Sequence, residues 1–376
     1  MKNSTKLKIG ILLDDSLDRH DGVQQYVKTL GGWLSGKGHD VHYLAGQSYE
    51  SKNVHSLSRN VSVRFNGNML TTPLPANSYA IKALLDKENF DVIHVQMPYS
   101  PFMAGKVIKR ASTKTAVVGT FHILPYGKLQ NTANKTLGVV QKRQLRRLDA
   151  ICSVSGAAQD FAKSHYGLNS CVIPNMIDLN KFKNSVVNHP NRIVFLGRLV
   201  PRKGCMQLLK AINQIPENTR KNLEIIIAGD GLQKQKLQKY AKTHGLNNVL
   251  FLGFVEERHK KDLLASAQLA IFPSSGGESF GIVLIESMAA GTGVVIGGDN
   301  PGYRSVLYSC PETLFDPNKP QLLADKIQTF LNNDKVHKST NAKQRKMVQF
   351  YDVNIVGYQI LQLYKQALLH RRQKMR

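Results

Sequence analysis

Short runs of β-branched and aliphatic residues alternate along this chain with stretches whose apolar residues recur at helical spacing. That alternation leaves few folds open. Strands are expected at 8–13, 41–44, 61–65, 92–96, 116–121, 150–154 and 171–173, and again at 193–196, 223–228, 249–252, 269–272 and 294–296. After the first run, Val23, Tyr26, Val27, Leu30 and Leu34 fall on one helical face, and Gly36 and Gly38 end the helix. A strand followed by a helix, repeated, predicts an α/β protein with parallel sheets covered by helices.

The series divides once. Pro174-Asn175 closes a strand, and residues 181–190 are polar, aperiodic and carry Pro190. The expected domains are therefore 1–185 and 190–352, each the size of one doubly wound unit. Residues 353–376 form a terminal helix with Ile355, Tyr358, Ile360, Leu361, Leu363 and Tyr364 on its apolar face, followed by a basic tail expected to be frayed and solvated. The chain has 42% hydrophobic and 20% charged residues over 376 positions, enough apolar material for two cores and too little charge for a disordered chain or coiled coil. Cysteines 152, 171, 205 and 310 have no metal-ligand spacing and read as buried thiols in a reducing compartment. The first apolar run, 9–13, is too short for a signal peptide, and no run is long enough to span a bilayer. A cytoplasmic or peripheral membrane location is expected.

The 51 Lys and Arg against 26 Asp and Glu give a net charge of +25 and argue for an anionic partner. Part of this charge is concentrated: residues 101–150 hold ten basic side chains and one acid, Asp149. Within that stretch Leu137, Val140, Leu145 and Leu148 alternate with Lys142, Arg143, Arg146 and Arg147 as a basic amphipathic helix. It can dock on anionic lipid, or it can turn its leucines into the core and leave its cations in water. Nucleic acid would suit the charge, but no zinc-finger, helix-turn-helix or RNP-like pattern is present. A nicotinamide enzyme would suit the α/β pattern, but Asp14-Asp15-Ser16 stands after the first strand where a glycine fingerprint is needed. Asp14-Asp15 lacks a third carboxylate and reads as a turn, not a metal site.

Two motifs carry chemistry. Gly276-Gly277-Glu278-Ser279-Phe280-Gly281-Ile282 leads from a strand ending at Pro273 into a helix capped by Gly291, with Glu286 about two turns in. Loop amides and a helix N-terminus suit an anion. The two carboxylates suit separate polar groups of one ligand, sugar hydroxyls above all. Gly197-Arg198-Leu199-Val200-Pro201-Arg202-Lys203-Gly204 follows the first strand of the second half, where open α/β sheets bind ligands. Its Arg198 and Lys203 suit a diphosphate.

These two motifs, with seven residues between Glu278 and Glu286, resemble those of the family 4 retaining glycosyltransferases. Gly22-Val23-Gln24, Phe121-His122, Ile173-Pro174-Asn175 with Ile177-Asp178, Ala228-Gly229-Asp230-Gly231, Phe251-Leu252-Gly253 and Tyr351-Asp352 extend the resemblance over nearly the whole chain. It implies the GT-B fold, two Rossmann-like domains with parallel sheets facing a central cleft, with the last helix returning to the first domain. It implies transfer of a hexose of mannose or glucose type from a GDP- or UDP-linked donor, with no other cofactor and no metal. Arg198 and Lys203 would hold the diphosphate, and Glu286 the ribose. Glu278 with the Gly277, Ser279, Phe280, Gly281 and Ile282 segment would position the sugar. Gly22 would approach the donor from the first domain, and His122 would lie at the anomeric centre. Retention would follow from front-face substitution, with the leaving phosphate taking the acceptor proton.

The Gly-Val-Gln loop and Gln96-Met97-Pro98-Tyr99-Ser100-Pro101 look most like the phosphatidylinositol mannosyltransferase branch. That implies a glycolipid acceptor at the inner face of the cell membrane, met through the basic stretch 101–150. A soluble sugar acceptor is the alternative, and a nucleic-acid-binding protein the alternative from another class. Three positions depart from the family pattern. Asp21 replaces a glycine before Gly22, Met176 replaces another, and Asn300-Pro301-Gly302-Tyr303 stands where many members have proline followed by glutamate.

Overall fold

A computed structural model describes residues 6–19, 21–49, 53–65, 68–73, 76–100, 103–124, 141–182 and 188–375. The chain forms two compact units, one of residues 1–176 with 353–376 and the other of 177–352. The division falls at 176/177, ahead of the 181–190 segment expected as linker, part of which lies outside the described residues.

The first unit is built on β1 (Lys8–Leu12), β2 (Asp40–Ala45), β3 (Val54–Ser56), β4 (Asn60–Phe65), β5 (Asn68–Pro73), β6 (Val92–Gln96), β7 (Ala116–Phe121), β8 (Ala150–Ser153) and β9 (Cys171–Val172). Seven of them form one parallel sheet in the order β3-β2-β1-β6-β7-β8-β9. Helix Gly22–Gly36 turns Tyr26, Val27, Leu30 and Leu34 onto Ile9, Ile11, Val92, Ala116 and Val118, as its spacing predicts. The strand expected at 61–65 is not in this sheet: β4 pairs antiparallel with β5. The two are separated by Asn66-Gly67, the strongest short hairpin signal, and that signal overrides membership in a parallel series.

The terminal helix, Val353–Gln373, buries Val353, Val356, Ile360, Leu361, Leu363, Tyr364 and Ala367 in the first unit's core. Ile355 and Tyr358, expected on its apolar face, are exposed. The basic tail is not frayed. Helix continues through Gln373, and Arg371 places its guanidinium 2.6 Å from Asp149 Oδ1. Arg147 binds the same carboxylate at 3.0 Å and donates to the carbonyls of Ser112 and Thr115. It is therefore not among the solvated cations of the basic stretch. Leu145 and Leu148 lie in the core, while Lys142, Arg143 and Arg146 are exposed. Where it is described, this stretch takes the core-facing form; Leu137 and Val140 lie outside the described residues.

The second unit is built on β10 (His189–Leu196), β11 (Glu224–Ala228), β12 (Val249–Gly253), β13 (Ala267–Phe272), β14 (Val294–Gly298) and β15 (Leu314–Phe315). All are parallel, in the order β12-β11-β10-β13-β14-β15. The chain winds from β10 outward to β12, then returns to the other side of β10 as β13. The order therefore reverses between β10 and β13, where loops at the carboxyl ends diverge and leave a crevice. Ile193, Phe195, Ile225, Ile227, Leu269 and Ile271 pack against Leu208, Leu209, Ile212, Leu323 and Ile327 of the covering helices. Among the described residues no helix is long and apolar enough to cross a membrane. Cys152, Cys205 and Cys310 are buried; Cys171, expected to be buried, is exposed on the edge strand β9.

Candidate functional site

Nine of the eleven residues expected to act on a donor lie in the second unit, on the loops after β10 and β13 and on the helix that follows β13. The loop after β10 makes a short turn of helix, Pro201–Lys203, closed by Gly204 at φ 74°. A Cβ at Gly204 would stand 1.9 Å from the carbonyl oxygen of Pro273, so only glycine allows the two loops to touch. They are further joined by the Ser275 amide, which donates to the Arg202 carbonyl at 2.9 Å.

Glu278 sits where these loops meet and is 9% exposed. Its Oε1 lies 2.9 Å from Lys203 Nζ and 2.9 Å from Arg202 Nη1, and accepts from Ser274 Oγ at 2.8 Å. Burial alone would raise its carboxyl. The Lys203 and Arg202 charges and the Lys203 and Ser274 hydrogen bonds more than offset that and hold it below the ordinary range. Burial pulls the Lys203 ammonium down, with Glu278 opposing. Arg198, half-buried, stands at the start of the same loop. Glu278 and Lys203, expected to hold different parts of a ligand, thus hold each other.

The helix Ile282–Ala290 begins at Gly281, φ 109°, after Gly277, φ 69°. Ser279, Phe280 and Gly281 lead directly into its first turn. Glu286 is on this helix, 7% exposed, with Oε1 2.6 Å from Lys260 Nζ. Lys260 also reaches Glu257 at 2.9 Å, and the two carboxylates outweigh burial to raise the ammonium above its ordinary range. Ser274, Lys260 and Arg202 were not expected to take part. Arg202 had a signal, as the cation beside Lys203. Ser274 had a faint one, as the first polar residue past the strand. Lys260 had none, lying 26 residues from Glu286.

The departure at 300–303 now has a physical account. Asn300 caps the helix Pro301–Leu307 by accepting from the Tyr303 amide at 3.0 Å. Its side-chain amide donates to the carbonyls of Ser274 and Gly298 at 3.0 and 3.1 Å. Asn300 therefore pins the Glu278 loop from behind.

The other two residues lie in the first unit. Gly22 is exposed at the first position of its helix, after Asp21, whose side chain makes no cap. Asp21 instead pairs with Arg19 at 2.9 Å. His122 follows β7, is 5% exposed, and donates from Nε2 to Gln96 Oε1 at 2.7 Å, with Tyr26 edge-on at 4.7 Å. Burial lowers its pKa to about 3, so the imidazole is neutral at pH 7. The acid pair after β1 is a structural turn, as expected. Asp14 accepts from the amides of Met103 and Ala104 at 3.0 and 3.1 Å and caps helix Met103–Arg110.

Residues 20–181 match the profile described as Glycosyltransferase Family 4, and residues 176–347 that of Glycosyl transferases group 1. A phosphatidyl-myo-inositol mannosyltransferase of Propionibacterium freudenreichii is 32% identical over 309 residues, 77% of this chain and 76% of that protein. The chain belongs to glycosyltransferase family 4. A second family member of that description, from Mycolicibacterium smegmatis, is 29% identical over 96% of this chain and 94% of its own. Among solved structures, sucrose-phosphate synthase from Thermosynechococcus elongatus superimposes with a TM-score of 0.77 at 21% identity, covering 96% of this chain and 99% of that one. Anabaena HepE, solved in complex with UDP-glucose, gives 0.71 at 21% identity over 95% and 98%. The fold of this glycosyltransferase is GT-B.

Proposed function

We propose that this glycosyltransferase transfers mannose, with retention of anomeric configuration, from a nucleoside-diphosphate donor to a phosphatidylinositol-type lipid at a membrane surface. The observation that carries the reading is the likeness, over nearly the whole chain, to enzymes described as phosphatidyl-myo-inositol mannosyltransferases. The cluster of Arg198, Arg202, Lys203 and Glu278 at the β10/β13 crevice is consistent with it.

In this reading the donor diphosphate takes the place of Glu278 as partner of Lys203, and Arg198 shares its charge. Positive charge fixed beside a leaving diphosphate stabilises it most as the glycosidic bond breaks, without reorganisation at that moment. These cations carry the neutralisation for which other transferases use a divalent ion. Glu278, released from Lys203 but still held by Ser274 and Arg202, accepts from sugar hydroxyls. Glu286 accepts from the ribose. His122, being neutral, serves as a hydrogen-bonding group and not as an acid. The sugar leaves its phosphate and meets the acceptor on the same face, and the phosphate oxygen takes the acceptor proton. The exposed Lys142, Arg143 and Arg146 attract anionic headgroups, each cation near the surface contributing about 1 kcal/mol.

Thermal unfolding with GDP, UDP, their mannose and glucose conjugates and NADH identifies the donor, because a ligand of the folded state raises the midpoint. Transfer of labelled sugar is then measured into phosphatidylinositol vesicles and into soluble mannosides. Incorporation into lipid is expected. Transfer to soluble acceptors alone would replace the lipid reading, and no response to any nucleotide would overturn the donor site.

A further inference from the structure

On the β1-β2-β3 side of the first unit's sheet, two histidines and a glutamate converge. His42 on β2 and His55 on β3 share a sheet face, since His55 is in register with Leu44. Glu88 ends the helix Ser78–Glu88 above them. One ligand atom from each lies within 4.8 Å of the others. His42 Nδ1 is 2.8 Å from His55 Nε2 and 3.9 Å from Glu88 Oε2.

We infer that His42, His55 and Glu88 form a binding site for a borderline-soft divalent ion such as Zn2+, separate from any role in sugar transfer. Four-coordinate Zn2+ holds nitrogen ligands at ~2.0–2.1 Å, which sets neighbouring ligand atoms about 3.4 Å apart. The observed 2.8 and 3.9 Å bracket that spacing, so small side-chain shifts suffice. Two imidazoles with one carboxylate favour Zn2+, Co2+ or Ni2+ over Mg2+ or Ca2+.

Two further features fit a ligand set. Asp40 Oδ1 lies 3.2 Å from His42 Nε2, so that nitrogen carries the proton and Nδ1 is left with its lone pair toward the cluster. A carboxylate behind the imidazole is the usual outer partner of a metal-bound histidine. Phe90 packs edge-on against the His42 ring at 5.5 Å and fixes its plane.

The competing cation is Lys8, whose Nζ lies 2.6 Å from Glu88 Oε2 and 4.0 Å from Asp40 Oδ2. When an ion takes Glu88, Lys8 has Asp40 to turn to. The bound ion would clip β2 and β3 to the end of helix Ser78–Glu88.

The test uses the full chain, stripped with chelator and titrated with Zn2+ by calorimetry and with Co2+ by visible absorption. One equivalent is expected, with a tetrahedral Co2+ spectrum and a raised unfolding midpoint. His55→Ala and Glu88→Gln are expected to weaken binding about ten-fold or more, and Asp40→Asn by a comparable factor. Lys8→Met removes the competing ammonium and is expected to tighten binding, a gain that a misfolded variant would not give. No stoichiometric uptake, or uptake unchanged in both His55→Ala and Lys8→Met, would overturn the site. None of these residues lies in the second unit, so failure here leaves the donor reading untouched.

Discussion

Lys203 Nζ stands 2.9 Å from Glu278 Oε1, so the cation and the carboxylate assigned to a donor neutralise each other before any donor arrives. Binding a diphosphate exchanges one anion for another at Lys203. Lys203→Ala should lower affinity for a nucleoside diphosphate about ten- to a hundred-fold, the range of a lost hydrogen bond to a charged group. Affinity for the bare nucleoside should change little. Glu278→Ala should lower transfer while nucleotide affinity holds or rises, because Lys203 is freed. Calorimetry with both ligands and both variants separates these. Equal loss for nucleoside and nucleotide would remove Lys203 from the diphosphate.

Gly302→Ala probes the geometry of the loop with no change of charge. A Cβ there would stand 2.2 Å from the Glu278 carbonyl oxygen and 2.8 Å from the Phe280 amide nitrogen. Both are backbone atoms, so the loop itself must move. A displacement of about 1 Å at such a site can cost about a hundred-fold in rate. The expected outcome is a large fall in transfer together with a lowered unfolding midpoint, since the clashing atoms are backbone. Near-parental transfer would mean that Glu278 is not held by this contact.

Asp15 sets a pH dependence. It lies in the turn before Gly22, accepting from the Ser16 amide at 2.7 Å and from Gln24 Nε2 at 3.2 Å. Burial outweighs these bonds and Arg19, and raises its pKa from 3.8 to about 6. The folded state therefore holds this proton more tightly than the unfolded state. Its stabilising contribution is full below the unfolded value and lost as pH rises through about 6. Asp15→Asn, neutral throughout, should gain stability over the parent between those limits as pH rises. Urea denaturation at pH 4, 5, 6 and 7 reads the gap, and a gap that does not change with pH would reject the shift.

Asp149 should be costly to replace. Its side chain is fully buried and serves Arg147, Arg371 and the Val117 amide together. Leaving buried cations without their anion typically costs about 3–5 kcal/mol. Asp149→Asn should lose stability on that scale, while Arg371→Ala loses less because Arg147 still answers the carboxylate. Parallel urea titrations test the order, and a smaller loss for Asp149→Asn would overturn it.

Much of this was legible in the sequence. The alternation of β-branched runs with helical spacing gives both parallel sheets, because burial on two faces demands it of every central strand. Gly276 to Gly291 marks the loop and helix correctly, since glycines at Gly277, Gly281 and Gly291 are required by their positive φ. What was not legible depends on contacts between distant residues. Lys260 meets Glu286 through the packing of two helices, and no local pattern announces it. Arg371 looked like surface charge because its partner, Asp149, lies 222 residues away, whereas Arg147, only two residues from Asp149, was read as part of a basic helical face. The antiparallel pair β4 and β5 was signalled by Asn66-Gly67 and was missed because the surrounding period pointed elsewhere.

The helix Val353–Gln373 belongs to the core of the first unit, yet the whole of the second unit precedes it in the chain. On a ribosome, Ile9, Leu30 and Val118 emerge long before Val356, Ile360 and Tyr364, which cover them. The nascent first unit thus carries an open apolar groove throughout synthesis of residues 177–352, and His94 waits for the Tyr364 hydroxyl 2.7 Å from its Nδ1. Domains usually fold in the order of their synthesis. Here the second unit can finish first, and residues made after it are the ones that complete the earliest.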